Sequence, residues 1–328
     1  MFELTRCEKN PILEPIQEHR WETKMVFNCA AVYKNNKINL VYRARGEDMS
    51  EDLPISRLGL AVFKNDGFTL EKRYTKPIFE PAAWYEPAGC EDPRITKLNG
   101  KYYMLYTAFL GRHETPFFEE EGTNIAMASS TDLIDWKRHG LLLPTVLEPE
   151  KNGVLFPKKI KGNYILYYRI DPDIYFTYSK TLENPKWEGH KKIITLRKKY
   201  WDSWKIGAGG PPLETKDGWL FIYHGVSQEG TRIDAFTHKE RPKLIYRLGA
   251  MLVDKHNPTK ILYRSENPIF EPKEKYEKEG FVPDVVFSCG AIIIKDTLYV
   301  YYGAADTVIG LAACKLSELL KKIKNKSL

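Results

Sequence analysis

No run approaching the ~20 apolar residues that a membrane span requires occurs anywhere in the 328-residue chain. The opening stretch, Met1 to Pro11, carries charges where a secretory signal would carry an apolar core, which predicts a cytoplasmic protein. Cysteine is scarce: Cys7, Cys29, Cys90, Cys289 and Cys314 are odd in number, far apart and never in CxxC spacing. That pattern indicates neither a disulfide framework nor a zinc site. Long helical periodicity is missing as well, and only Leu316–Lys324 (LSELLKKIK) repeats apolar residues at three and four, which predicts a short C-terminal helix. Although 50 Lys and Arg against 43 Asp and Glu leave a net charge of +7, the lysines are scattered and no nucleic-acid-binding signature accompanies them. The excess fits a solvated surface or, equally, an anionic small substrate.

What the chain has in quantity is aromatic residues, 13% of the total, and they recur in one phrase. A turn containing Asn, Gly or Asp leads into an aromatic-rich strand at 34–46 (KNNKINLVYRARG), 98–111 (LNGKYYMLYTAFLG), 160–171 (IKGNYILYYRID), 215–226 (TKDGWLFIYHGV) and 294–306 (IKDTLYVYYGAAD). Taking Tyr42, Tyr106, Tyr167, Tyr223 and Tyr301 as equivalent, the period is roughly 60–80 residues, room for a four-stranded sheet with loops. A shorter strand precedes each phrase (VFNCAAVYK, CEDPRITKL, VLFPKKIKG, GAGGPPLET, SCGAIIIKD) and a third strand follows it. NPILEP (10–15), KPIFEP (76–81) and NPIFEP (267–272) supply outer strands or their connections, where proline is tolerated. The predicted fold is all-β: one five-bladed β-propeller over residues 1–328, whose closed ring leaves few sheet edges exposed. A two-domain β-sandwich is the alternative.

In such a ring the first strand of each blade lines an axial channel, so its polar residues are candidate site residues. They are Asn28, Glu91, Asp92, Arg94, Lys158, Lys159 and Asp284, joined from the second strands by Arg43, Arg45, Arg169 and His224. Hydrolysis of a glycosidic bond normally needs two carboxyl groups. Phosphate, already an anion, needs no base to attack carbon, so one acid and a cluster of cations suffice. Arg138, Arg169, Lys205 and His224 are the phosphate candidates. The run GAGGPP (207–212) offers backbone amides to an anion or forms a tight turn.

The segments VFNCAAVYKNNKINLVYRARG, GCEDPRITKLNGKYYMLYTAF, LFPKKIKGNYILYYRID, KIGAGGPPLETKDGWLFIYHGV and VPDVVFSCGAIIIKDTLYVYYGAAD resemble glycoside hydrolase family 130, the β-mannoside phosphorylases, over almost the whole chain. That resemblance implies a five-bladed propeller and an inverting reaction of a β-mannoside with phosphate, giving α-mannose 1-phosphate and a shortened acceptor. It implies that Asp92 of EDPR is the proton donor, acting through the mannosyl 3-hydroxyl. It further implies that Asn28, Arg43 and Asp284 hold the mannose ring, and that Arg138, Arg169, Lys205, His224 and Lys159 form the phosphate pocket. One departure is LFPKKI, where Lys158 stands in place of a frequent Glu.

A neutral Asp92 is required for protonation, and burial beside Glu91 is expected to raise its pKa, with Arg94 opposing. Trp84, Tyr85, Phe117, Phe118, Tyr200, Trp201 and Trp204 are candidates for stacking on acceptor sugars, and the insertion 112–124 (RHETPFFEEEGTN) for a lid over them. No metal or organic cofactor is expected, phosphate being a co-substrate. The expected partners are a carbohydrate and phosphate, without nucleic acid or membrane, and a homo-oligomer is compatible with the chain. A five-bladed glycosidase that hydrolyses β-mannosides or arabinan, using Asp92 and Asp284, and a non-catalytic glycan-binding propeller are the competing readings.

Overall fold

The computed structural model describes residues 2–47, 55–114, 119–144, 146, 148–233 and 240–325. Five antiparallel sheets follow one another along the chain. Blade I is built from Met25–Lys34, Lys37–Arg45, Arg57–Phe63 and Leu70–Arg73, and blade II from Gly89–Leu98, Lys101–Glu114, Glu119–Ser130 and Lys137–Leu141. Blade III comprises Glu150–Leu155, Tyr164–Ile170, Asp173–Ser179 and Glu188–Ile194. Blade IV comprises Lys205–Ala208, Gly218–Ile233, Glu240–Val253 and Ile261–Arg264, with Leu213–Thr215 as an extra pairing. Blade V takes Val286–Ile294, Thr297–Ala304 and Val308–Lys315 from the end of the chain and its outer strand, Thr5–Arg6, from the beginning. This closes the ring, with the first strands packed around the axis. The five-bladed propeller and the helix over Leu316–Lys324 agree with the sequence pattern.

Both faces of a blade are covered by its neighbours, so the middle strands are largely apolar on both sides while the outermost strands stay polar and exposed, and one hydrophobic cluster fills each interface. Leu58 and Cys90 meet between blades I and II, Leu105 and Leu166 between II and III, Ile165 and Phe221 between III and IV, Leu248 and Val300 between IV and V, and Leu40 and Ile292 between V and I. The Pro-containing phrases prove to be connections: Leu13, Phe79 and Phe270 each bridge the third strand of a blade through Ile309, Leu58 and Leu248.

Four blades share a buried latch. A carboxylate from the loop entering the blade accepts a tyrosine hydroxyl from the second strand and an arginine from the outermost strand. Glu22, Tyr42 and Arg73 form it in blade I; Glu86, Tyr106 and Arg138 in blade II; Asp202, Tyr223 and Arg264 in blade IV; Glu277, Tyr302 and Arg6 in blade V. The four carboxylates are fully buried, where an unpaired charge would be strongly unfavourable. In blade III Tyr167 bonds the Pro258 carbonyl instead. The equivalent residue of blade V is therefore Tyr302, opposite Gly310 as Tyr42 is opposite Gly59, and not Tyr301, whose hydroxyl goes to Gly67.

Two further expectations change. VLFPKKIKG is not an inner strand as a whole: blade III's inner strand is Glu150–Leu155, and 157–163 forms the turn after it. The 112–124 insertion largely extends the second hairpin of blade II, with Phe117 and Phe118 outside the described residues.

Candidate active site

Four of the five inner strands are bulged. Register slips fall between Phe27 and Ala30, Glu91 and Arg94, Lys151 and Val154, and Phe287 and Gly290. At three of these bulges a polar residue adopts the left-handed conformation: Asn28 (φ 46°), Asp92 (φ 51°) and Asn152 (φ 54°). Asn and Asp tolerate this conformation better than other side-chain-bearing residues, and a bulge re-aims the side chain it carries. Three short polar groups are presented by the same backbone device.

Asp92 sits at the centre of the first group. Its Oδ1 accepts from the Asn28 amide at 2.9 Å and from Arg43 Nη1 at 3.2 Å. Burial pushes the carboxyl up, but Arg43, Arg94, the Asn28 amide and Lys151 outweigh it and hold it below the ordinary carboxylate range. The expected upward shift is thus reversed in the unliganded protein. Glu91, whose own carboxylate is engaged by Arg43, Arg45 and Ser56, does not offset these cations. Asp306, in the turn after Ala304, is near the same arginines and both acids; burial first, then Asp92 and Glu91, push its carboxyl up to about 6 against the pull of Arg43 and Arg45.

The second group lies between blades III and IV. His224, fully buried, pairs across the strand with Gly207, and a Cβ on Gly207 would fall 2.4 Å from both Asn152 Oδ1 and His224 Cε1. Only glycine lets Asn152 and His224 approach each other here. The Ala208 backbone passes alongside the ring, yet neither ring nitrogen has a hydrogen-bond partner of good geometry among the described residues. Burial and the neighbouring Arg169, Arg94 and Lys205 hold the imidazole well below its usual pKa, so it is neutral. Phe287 packs 4.4 Å from the ring, and Lys205 Nζ lies 5.2 Å over Tyr246. Arg169, which pairs with Lys151 across the strands, binds the exposed Asp171 at 2.6 Å.

Arg94 joins the two groups. Its guanidinium donates to the Asp92, Gly209 and Ala208 carbonyls, crossing from blade II to blade IV. Gly209 is required by crowding: an added Cβ would lie 2.7 Å from the Ile222 carbonyl. The GAGG run therefore serves close approach of blade IV to the axis.

The structure brings Asn28, Arg43 and Asp92 together, and separately Arg169, Lys205 and His224. It does not bring Arg138 or Lys159 there. Arg138 is the latch arginine of blade II, on the outer strand over Phe79, bonded to Glu86 and the Glu80 carbonyl. Lys159 is exposed in the turn after blade III's inner strand and bonds the Lys180 carbonyl, while Lys158 pairs with Glu214. Asp284 (φ 62°) precedes blade V's first strand and lies 3.8 Å from Lys243, and among the described residues it makes no hydrogen bond to Asn28, Arg43 or Asp92. Lys151, Asn152 and Asp306 were missed. The signal for the first two was the repeat itself, since FNC, EDP and KNG occupy one register; Asn-Gly reads instead as a hairpin turn.

Of the aromatic candidates, Trp84 is 76% exposed, and Tyr200 and Trp204 are also exposed, whereas Tyr85 is buried and Trp201 packs on Tyr223. Among the described residues no helix is long and apolar enough to cross a membrane.

The sequence profile of a glycoside hydrolase family described as β-1,4-mannooligosaccharide phosphorylase matches residues 3–325. The chain is similar to a 1,2-β-oligomannan phosphorylase of Thermoanaerobacter sp. strain X514, 42% identical over 97% of this chain and 99% of that one. It is similar to a β-1,2-mannobiose phosphorylase of the same organism, 44% identical over 95% and 97%. Among solved structures, the β-1,2-mannobiose phosphorylase of Listeria innocua in complex with β-1,2-mannobiose superposes with a TM-score of 0.80 at 26% identity, covering 98% of this chain and 99% of that one. On the match of almost its full length, the chain belongs to glycoside hydrolase family 130, the family of the β-mannoside phosphorylases.

Proposed function

We propose that the protein cleaves β-mannosides with inorganic phosphate and inversion, releasing α-D-mannose 1-phosphate and a shortened acceptor. The observation that carries this reading is the neutral His224, its ring nitrogens without a partner of good geometry among the described residues, with Arg169 and Lys205 around it, on the opposite side of the Arg94 bridge from Asp92. Phosphate there would meet a neutral donor and cations, with Lys151 and Asn152 on the adjoining strand. Asn28, Arg43 and Asp306 surround the position of the mannosyl ring, and Asp92 gives the proton. Phosphate also resolves the low proton affinity of Asp92, because an added dianion nearby raises it when the acid is needed. The two relatives above 40% identity are named for 1,2-β-oligomannan and β-1,2-mannobiose, which favours β-1,2-linked substrates. Five free cysteines, three of them buried, suit a cytoplasmic, reducing setting.

A hydrolytic reading draws on Asp306, a second carboxyl near Asp92 with a raised pKa. Incubation with β-1,2-mannobiose, with and without phosphate, separates the two. Sugar 1-phosphate formed only with phosphate supports phosphorolysis; mannose released at an equal rate without it supports hydrolysis.

A further inference from the structure

Asp92 shares its arginine with a second acid. Arg43 Nη1 goes to Asp92, while Nη2 goes to Glu91 Oε1, which also accepts from Arg45 Nη2 at 3.2 Å and from the Ser56 hydroxyl at 3.1 Å. Ser56 Oγ in turn accepts from Arg43 Nε and Arg45 Nε, each at 2.9 Å, so its one donor and two acceptor sites are all used. Every member is buried. Phe27 lies under the Arg43 guanidinium at 4.6 Å and fixes its plane. Ser56 is itself held: it bridges Gly89, and its carbonyl accepts the Cys90 amide at 2.9 Å, which ties the blade I loop to the strand bearing Glu91 and Asp92.

Two guanidinium groups side by side and out of water repel each other. Burial and then Arg43 pull Arg45 down to about 10. One carboxylate, Glu91, holds both in place. Its position decides where the Arg43 fork points and how much of its charge is left for its neighbour.

We propose that Glu91, pinned by Ser56, is a positioning residue for Asp92: it divides the Arg43 guanidinium between two carboxylates and so limits the hold of that charge on the acid. The inference rests on the acid role of Asp92 in the proposed reaction. The other charged groups facing Asp92 are Arg94 on its own strand, Lys151 from blade III and Asp306 from blade V, with the neutral Asn28 amide and the Cys289 thiol beside them. Glu91 and Arg45 both also act on Asp306, so its carboxyl is followed in the same titrations of the Glu91→Gln and Arg45→Gln variants.

The test is a ¹³C NMR titration of the Asp92 carboxyl in the unliganded full-length chain, which requires no turnover. Glu91→Gln releases Arg43 to Asp92 and should move the midpoint down by about one pH unit. Arg45→Gln leaves Glu91 to Arg43 alone and should move it up. Opposite displacements support the inference, and midpoints unmoved or moved the same way in both variants overturn it. If Glu91→Gln does not fold, the upward shift in Arg45→Gln decides. Phosphorolysis of β-1,2-mannobiose is then followed across pH, where Glu91→Gln should lower kcat about tenfold at neutral pH and shift its alkaline limb down, with the KM for phosphate little changed. An active parent with an unmoved Glu91→Gln titration sinks this inference alone; a parent that forms no sugar phosphate while the titrations shift as described sinks the phosphorolytic reading alone.

Discussion

Arg94 Nε donates to the Gly209 carbonyl at 2.7 Å, which fastens the strand carrying Asp92 to the blade carrying His224. The same guanidinium holds the Asp92 carbonyl at 2.8 Å and the Ala208 carbonyl at 3.2 Å, so a single planar group fixes the spacing between the acid and the basic group. Lysine offers a point donor in place of a fork. Arg94→Lys should retain the propeller's circular dichroism but lose about 1–3 kcal/mol of stability and lower kcat more than it raises either KM. Thermal unfolding and steady-state kinetics check both; unchanged kcat would show that the bridge does not set the geometry.

Asp92→Asn keeps the size of the side chain and removes the proton. Turnover should fall by about 10²–10⁴-fold, the usual worth of a general acid, with the unfolding temperature little changed. Because cations hold the Asp92 carboxyl low in the unliganded protein, kcat/KM for the mannoside should lose activity with rising pH earlier at low phosphate than at saturating phosphate. Identical pH profiles at the two phosphate concentrations would count against the coupling.

His224→Ala removes a neutral donor from a cationic pocket. The KM for phosphate should rise about 10–100-fold, as for a lost hydrogen bond to a charged group, while the KM for mannobiose changes little. Lys151→Ala should act in the same direction. His224 also couples stability to pH. Its folded pKa lies below the ordinary value, so its contribution is complete above about pH 6.5 and declines as pH falls below that. The alanine variant should lose this acid sensitivity in a pH series of melting curves.

Arg138 separates a structural from a functional arginine. Arg138→Met leaves the fully buried Glu86 without its cation and should destabilise by about 3–5 kcal/mol. The phosphate KM of the surviving folded enzyme, measured at low temperature, should stay at the parent value. A large rise there would return Arg138 to the phosphate pocket.

Glu150 opens the inner strand of blade III, fully buried, with Oε1 accepting the Ile125 amide and Oε2 unpartnered among the described residues. Burial pushes its carboxyl up to about 8. The folded state therefore binds a proton more tightly than the unfolded one. Stability from this group is present below about pH 4.5 and is lost as pH rises through about 8. Glu150→Gln should unfold at a higher temperature than the parent at about pH 9, by on the order of 2 kcal/mol, and match it in acid. Equal melting temperatures at alkaline pH would show that Glu150 ionises freely.

The ring was legible because its cause is local and repeated: each blade needs an apolar second strand behind a tight turn, and five such phrases leave little else to build. The acid was legible for a similar reason, EDPR being a short motif on one strand. Arg138 shows what sequence cannot display. Its neighbours on the chain resemble a surface turn, and only the outer strand's return over Phe79 to Glu86 reveals it as a fastening, shared in kind with Arg73, Arg264 and Arg6. Lys151 and Asn152 were hidden by the opposite fault. Asn-Gly is by itself a hairpin-turn signal, whereas this bulge uses a left-handed Asn inside a strand, with the following Gly153 closely packed against Ile125. Asp306 lay in a recognised phrase but beyond the strand's end, where the fold alone returns it to Arg43 and Arg45.

The most direct measurement is ³¹P and ¹H NMR of the protein with β-1,2-mannobiose and inorganic phosphate, followed from the first turnover. The account predicts that phosphate is consumed in step with the appearance of α-mannose 1-phosphate and one free mannose, and that nothing is cleaved when phosphate is withheld. Two free mannose molecules from each disaccharide, at a rate indifferent to phosphate, would contradict it.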